Sequence, residues 1–465
     1  MERKYKTLFK DTLVFALGSL GSKVILFFLV PLYTNYLTTE EYGIADLVFT
    51  TSQLIIPIVS IVIWDAIIRF GLMKDRDREE VLKVGVTVGV VGALVTVAVT
   101  PLFHYYTAIA PWKWYLCIYV ILSYSSTISM SYLKIKDQNK SYAIISILQT
   151  FTLALINVLL LVVFRVGIRG YLIANIVAVG TSLILAILSG KALKTIICKP
   201  LNRLLLLEMV KYSSPLILND LSWWVIHSSD KYMIEAMINS SSLGIFTAAT
   251  KIPALINVII NIFGQAWNIS SIKEMDSSND VSFYSKVFEG YTFLAFGSCV
   301  FLIAVLKPFM SVYVGNAFHD SWLFVPMLLV SAVFSAVASY FGQMYSALKK
   351  PVNNMLSTLS AALVNILVNY LFILKVGAWG AVIGTVVAYV ILALLRMLDV
   401  SRYIKIQINN TQFFANCLIV MLQGILVSIG RNIYIVSAAC AVCFLTVNYT
   451  TLKLFYRAIS RKIKT

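Results

Sequence analysis

Apolar stretches of about twenty residues recur along the chain, separated by short polar breaks, and each is long enough to cross a bilayer as a helix. The pattern predicts fourteen spans. Seven lie in the first half: Thr12 to Tyr36, Ile44 to Phe70, Leu82 to Phe103, Trp114 to Leu133, Ala143 to Phe164, Tyr171 to Leu193 and Val210 to Met237. The others are Ile245 to Ser271, Val287 to Val314, Trp322 to Leu348, Leu356 to Leu374, Ala378 to Tyr403, Phe413 to Ile429 and Tyr434 to Tyr456. The expected class is therefore an all-α polytopic membrane protein.

The polar breaks alternate in charge. One set carries most of the lysine and arginine, including Arg3, Lys4 and Lys10, then Lys74 to Lys83, Lys134 to Lys140, Lys191 to Lys211, Lys349 and Lys350, Arg396 to Lys405, and Lys453 to Lys464. The intervening breaks hold only Lys113, Arg165, Arg169, Lys375 and Arg431, with Trp112, Trp114, Trp322 and Trp379 placed as an interfacial belt. Both termini are thus expected on the cytoplasmic side. Lys307, before Pro308, reads as an interfacial anchor.

Composition agrees, with 59% hydrophobic and 13% charged residues over 465 positions and a mean hydropathy of +0.85. The net charge of +17 is spread over alternate short loops, so topology accounts for it better than a nucleic-acid partner. Anionic lipids of the inner leaflet are the expected neighbours. The first apolar run is long and lacks a small-residue cleavage site, so it reads as an uncleaved helix. Cys440 and Cys443 lie in an apolar span, which argues for packing over metal or redox chemistry. Phosphate-binding glycine loops, nucleophile elbows and zinc motifs are absent, so no enzyme, no catalytic residue and no metal site is expected.

Against this apolar background four cations stand out: Lys23, Arg69, Lys231 and Lys251. A lysine at the middle of a span costs roughly 3 kcal/mol, so such residues face a bundle interior or a watery cavity. Arg69 lies near the cytoplasmic end of its span, four residues after Asp65, where a local ion pair or interfacial anchoring would suffice. At 100° per residue, Asp220, Trp224, His227 and Lys231 share one face of the seventh span, with Asp230 on the adjacent stripe. Lys251, Asn261 and Gln265 share a sector of the eighth, and Asp46, Thr50, Gln53 and Pro57 line up on the second. Polar faces of that length do not face lipid. The four cations are the expected substrate contacts, and Asp220, Trp224, His227, Asp230, Asn261, Gln265 and Gln53 the expected cavity lining. The acids leave room for a coupling cation, sodium or proton, with no other cofactor.

A repeat organises the spans. Tyr42-Gly43-Ile44 recurs as Leu243-Gly244-Ile245, and Gly167-Ile168-Arg169-Gly170 as Gly377-Ala378-Trp379-Gly380. The unit is six helices, an even number, so the halves are related by a pseudo-two-fold along the membrane normal. The expected domains are 1–203 and 204–405, two six-helix lobes, and 406–465, two further helices with a basic tail.

Pro31-Leu32-Tyr33-Thr34-Asn35-Tyr36-Leu37, Glu40-Glu41-Tyr42-Gly43, Asp230-Lys231 and Leu243 through Lys251 resemble the polysaccharide flippase family of the multidrug/oligosaccharidyl-lipid/polysaccharide exporter superfamily. That resemblance implies a fold of two six-helix lobes around a central cavity. It implies translocation of polyprenyl-diphosphate-linked oligosaccharides across the bacterial cytoplasmic membrane for O-antigen, capsule or exopolysaccharide assembly, with a polysaccharide polymerase as a further partner. The related peptidoglycan-precursor flippase is known for cavity arginines, where this chain offers mainly lysines, which bind phosphate as point charges. The competing readings are a multidrug or cation antiporter of the same superfamily, favoured by an acidic cavity, and a polysaccharide polymerase or ligase, favoured by a large outer loop.

Overall fold

The computed structural model describes residues 25–73, 75–192, 200–258, 260, 263, 267, 271, 281–348, 350–430 and 432–453. Among these residues the chain is helical, with no strand. The helices are α1 (Ile25–Tyr36), α2 (Thr39–Ser60), α3 (Ile63–Gly71), α4 (Arg78–Val99), α5 (Lys113–Ile135), α6 (Asn139–Asn157), α7 (Ile168–Gly190) and α8 (Arg203–Met237). They continue with α9 (Ser240–Thr250), α10 (Val281–Tyr313), α11 (Val325–Ala347), α12 (Pro351–Val376), α13 (Trp379–Ser401), α14 (Asn410–Ser428) and α15 (Ile433–Val447). Ten helices among the described residues are long and apolar enough to cross a membrane, and α1 and α15 are shorter apolar helices. The 35-residue α8 carries Asp220, Asp230, Lys231 and Glu235 and is not among the ten.

The chain divides into two compact units, Met1–Ser228 and Ser229–Thr465. The division falls inside α8.

In the first unit α2 and α3 pack on α4 and α5, and α7 packs on α5 and α6. Lipid tails are as apolar as leucine, so close backbone approach and polar contacts do the joining. Tyr124 donates its hydroxyl to the Gly89 carbonyl at 2.9 Å, and Ser126 donates to Ser182 at 3.0 Å. In the second unit α13 packs on α11 and α12, and α14 on α15 and α11.

Two features depart from the sequence reading. The second span, expected as one helix from Ile44 to Phe70, breaks after Ser60, where Ile61 (φ 53°) and Val62 (φ 51°) are both left-handed. For β-branched residues that backbone costs about 1–2 kcal/mol each. The interruption is buried, with Ser60, Val62 and Ile63 almost fully covered, as irregular backbone at membrane depth requires.

Arg396, grouped by sequence with the loop cations, is instead 2% exposed inside the second unit. It donates Nε to Ser357 Oγ, Nη1 to the Ala338 carbonyl, and Nη2 to Asn354 Oδ1 and Thr358 Oγ1. It ties α13 to α11 and α12, and Gly342 provides the space its guanidinium fills. Charge counting cannot separate a guanidinium turned inward from one at the interface when both lie within a turn or two of a helix end.

The repeat is visible in local geometry. Gly167, before α7, has φ 65° and ψ −145°; Gly377, after α12, has φ 62° and ψ −144°. That region is open essentially to glycine alone. At the other motif, Thr38 caps α2 by accepting from the Glu41 amide at 3.1 Å, and Asn239 caps α9 by accepting from the Ser242 amide at 2.8 Å. The two caps stand at the same separation as Gly43 and Gly244.

Candidate functional site

Lys23, Asn261 and Gln265 lie outside the described residues. The others fall in both units.

In the first unit, α8 meets α2 through Trp224, whose indole donates Nε1 to the main-chain carbonyl of Thr50 at 2.9 Å. That carbonyl lies one turn before the exposed Gln53 and two turns before Pro57. Pro57 has no amide proton to give the Gln53 carbonyl, so α2 carries a spare backbone acceptor on the way to its break. His227 is exposed and stacks on Trp223 at 5.6 Å. Asp220 accepts from Asn219 Nδ2 at 3.3 Å and stands within electrostatic range of Asp65, which also feels Lys134.

Arg69 sits with its guanidinium 4.9 Å above the Tyr212 ring. Among the described residues it has no ion pair with Asp65, so the local-pair expectation is replaced by a cation–π contact joining α3 to the first turns of α8. Lys307, the expected anchor, lies 5.5 Å above the Trp322 ring.

In the second unit Asp230 is 6% exposed and its Oδ1 accepts the Lys231 amide at 2.8 Å. Lys231 and Lys251 are both half-buried, Lys251 as the residue closing α9. Beside Asp230, Ser229 donates to Asn365 Oδ1 at 3.1 Å, and Asn369 Nδ2 donates to the same oxygen at 3.1 Å. Asn365 and Asn369 are buried in the middle of α12, and Asn369 Oδ1 lies against Gly384 of α13. The sequence reading passed over this amide pair, although Asn365 and Asn369 are four residues apart in an apolar span and so share one face.

It also passed over a cavity of about 200 Å³ inside α5, α6 and α7, lined by Ser123, Ser126, Thr127, Ser146 and Gln149 with Lys134. The signal was present, since Ser123, Ser126, Thr127 and Ser131 recur at helical spacing on α5. Lys134, counted among the loop cations, is half-buried here and lies 4.5 Å above the Tyr142 ring. Hydroxyls with one ammonium suit a polyhydroxylated or anionic ligand. No group of three or more histidine, cysteine or acidic side chains able to hold a metal ion occurs among the described residues.

The profile of a family described as polysaccharide biosynthesis protein matches residues 8–268. Curated protein sequences give no match. Among solved structures, the lipid II flippase MurJ in an inward closed conformation is similar with a TM-score of 0.70 at 15% identity, over 96% of this chain and 99% of that one. A multidrug resistance MATE family transporter of the MOP superfamily is similar in its inward-facing conformation, with a TM-score of 0.65 at 13% identity over 82% of this chain and 98% of that one. An outward-facing MATE structure gives 0.60 at 15% identity, over 85% and 96% of the two chains. At these identities the likeness is one of fold.

Proposed function

The chain belongs to the polysaccharide biosynthesis protein family, and from that premise we propose that it is a flippase moving polyprenyl-diphosphate-linked oligosaccharides across the bacterial cytoplasmic membrane by alternating access. The observation that carries this reading is the family match itself, which runs through α8 and α9 and so includes Lys231 and Lys251. The diphosphate is held by Lys23, Lys231, Lys251 and Arg69 as point charges, and the sugars by tryptophan, amide and hydroxyl groups. The prenyl tail stays in lipid while the headgroup crosses, and no bond is broken. A coupling cation, sodium or proton, draws on the acids of α8. The glycan is destined for O-antigen, capsule or exopolysaccharide assembly, and a polymerase acts on it after release.

A second reading, a multidrug antiporter, is favoured by the MATE-like fold. Proteoliposomes separate the two. The flippase reading expects lipid-linked oligosaccharide loaded on one leaflet to become accessible to a glycosidase added on the other, with no ion-driven uptake of a cationic dye. Dye uptake without glycan exposure would favour the antiporter.

A further inference from the structure

We propose that the cavity at one end of α10, α14 and α15 is a binding site for the zwitterionic headgroup of a phospholipid carrying a phosphate and a primary ammonium. The cavity measures about 240 Å³ and belongs wholly to the second unit. It takes its lining from the first turns of α10, from the residues leading into α14, and from Asn448 at the end of α15.

Its two charged groups decide the ligand. Lys286 and Glu289 both line it, three residues apart on α10, which places their side chains on one face. Among the described residues the two make no ion pair with each other or with anything else. Glu289 is fixed in place: Thr451 donates its hydroxyl to Oε1 at 2.6 Å, and Gln412 Nε2 donates to Thr451 Oγ1 at 3.2 Å. Behind them Asn416 and Asn448, both almost fully buried, exchange amide hydrogen bonds at 2.8 and 3.1 Å. Gln412 also donates to Asn448 Oδ1 at 2.8 Å, so floor and carboxylate form one connected network. The connector before α14 is held against α10 by the Gln407 amide donating to Ser285 Oγ at 2.9 Å.

One cation and one anion, held apart in a polar cavity, give no net attraction to a diphosphate or to a simple cationic drug. A ligand that carries both charges satisfies both groups, phosphate toward Lys286 and ammonium toward Glu289. The surfaces next to this network are apolar and exposed, with Phe414, Leu418 and Leu422 on α14 and Leu445 and Tyr449 at α15. A headgroup in the cavity therefore leaves its acyl chains on a surface already suited to lipid. The same headgroup chemistry exists in soluble phosphoethanolamine, and the experiment separates the two.

The full chain, purified in detergent, is incubated with equal amounts of phosphatidylethanolamine, phosphatidylglycerol and phosphatidylcholine, and retained lipid is counted by native mass spectrometry. Phosphatidylethanolamine is expected to be retained over phosphatidylglycerol by about tenfold. Glu289→Gln removes that preference, because phosphatidylglycerol needs only the lysine. Lys286→Gln lowers retention of both, and since Lys286 is exposed and makes no hydrogen bond to the described residues, this variant still reports if Glu289→Gln fails to fold. Equal retention of the three lipids, or an unchanged preference in Glu289→Gln, overturns the proposal. So does displacement of the lipid by free phosphoethanolamine at equal concentration, which would make the occupant a soluble compound. The readout involves no transport, so the outcome is independent of the flippase reading.

Discussion

Gly92 of α4 lies against the main-chain carbonyl of Val59, where a Cβ at position 92 would stand 2.5 Å from that oxygen. The contact falls two residues before the left-handed pair Ile61 and Val62, so the break in the second span is seated in a notch that only glycine leaves open. Gly92→Ala forces α2 or α4 to move, an overpacking cost of about 1–3 kcal/mol. Thermal unfolding of the purified variant should show the loss, whereas Gly180→Ala on α7, where a Cβ would have only one neighbour within 4 Å, should unfold with the wild type.

Arg396 supports a second prediction. Its side chain makes four hydrogen bonds to neutral oxygens in a buried site, and truncation to alanine leaves those acceptors without a donor. The expected loss is about 1–3 kcal/mol, the cost of leaving buried acceptors unsatisfied. Arg396→Lys should recover only part of it, because an ammonium cannot span acceptors on two helices at once. Denaturation of the two variants in detergent gives the ranking.

How far the sequence carries depends on whether a feature is local. Hydropathy was legible because apolar length is a property of a continuous segment, and ten helices among the described residues carry it. The glycine motifs point to shared backbone geometry because φ near 60° with ψ near −145° admits glycine alone, as Gly167 and Gly377 demonstrate. Glu41 joins two motifs that the sequence shows only separately: its Oε2 accepts from the Thr38 amide at 3.0 Å, and its Oε1 accepts from the Ile168 amide at 3.3 Å, beside Gly167. What sequence did not provide were contacts made across helices. The inward turn of Arg396, the Trp224 bond to Thr50 and the hydroxyl cavity around Lys134 depend on which helices are neighbours. The break at Ile61 was hidden for another reason, since β-branched residues give no local signal of a left-handed backbone.

Gly384 and Asn369 form a coupled pair across α12 and α13. A methyl group at position 384 would collide with Asn369 Oδ1, so Gly384→Ala should cost about 1–3 kcal/mol, and Asn369→Ala, by removing the amide, should absorb much of that penalty. A double-mutant cycle by thermal unfolding is expected to give a coupling energy above about 0.5 kcal/mol. Additive effects would mean that the two helices separate readily at this point.

The central claim is that intramembrane lysines hold the diphosphate. Each ammonium–phosphate contact is worth about 1.5–3 kcal/mol, so removing two should lower translocation by at least about a hundredfold. The direct measurement is glycan exposure in proteoliposomes containing the Lys23→Gln/Lys251→Gln double variant, at matched protein incorporation. A loss of that size with folding intact is the predicted result; translocation at the wild-type rate would contradict the account.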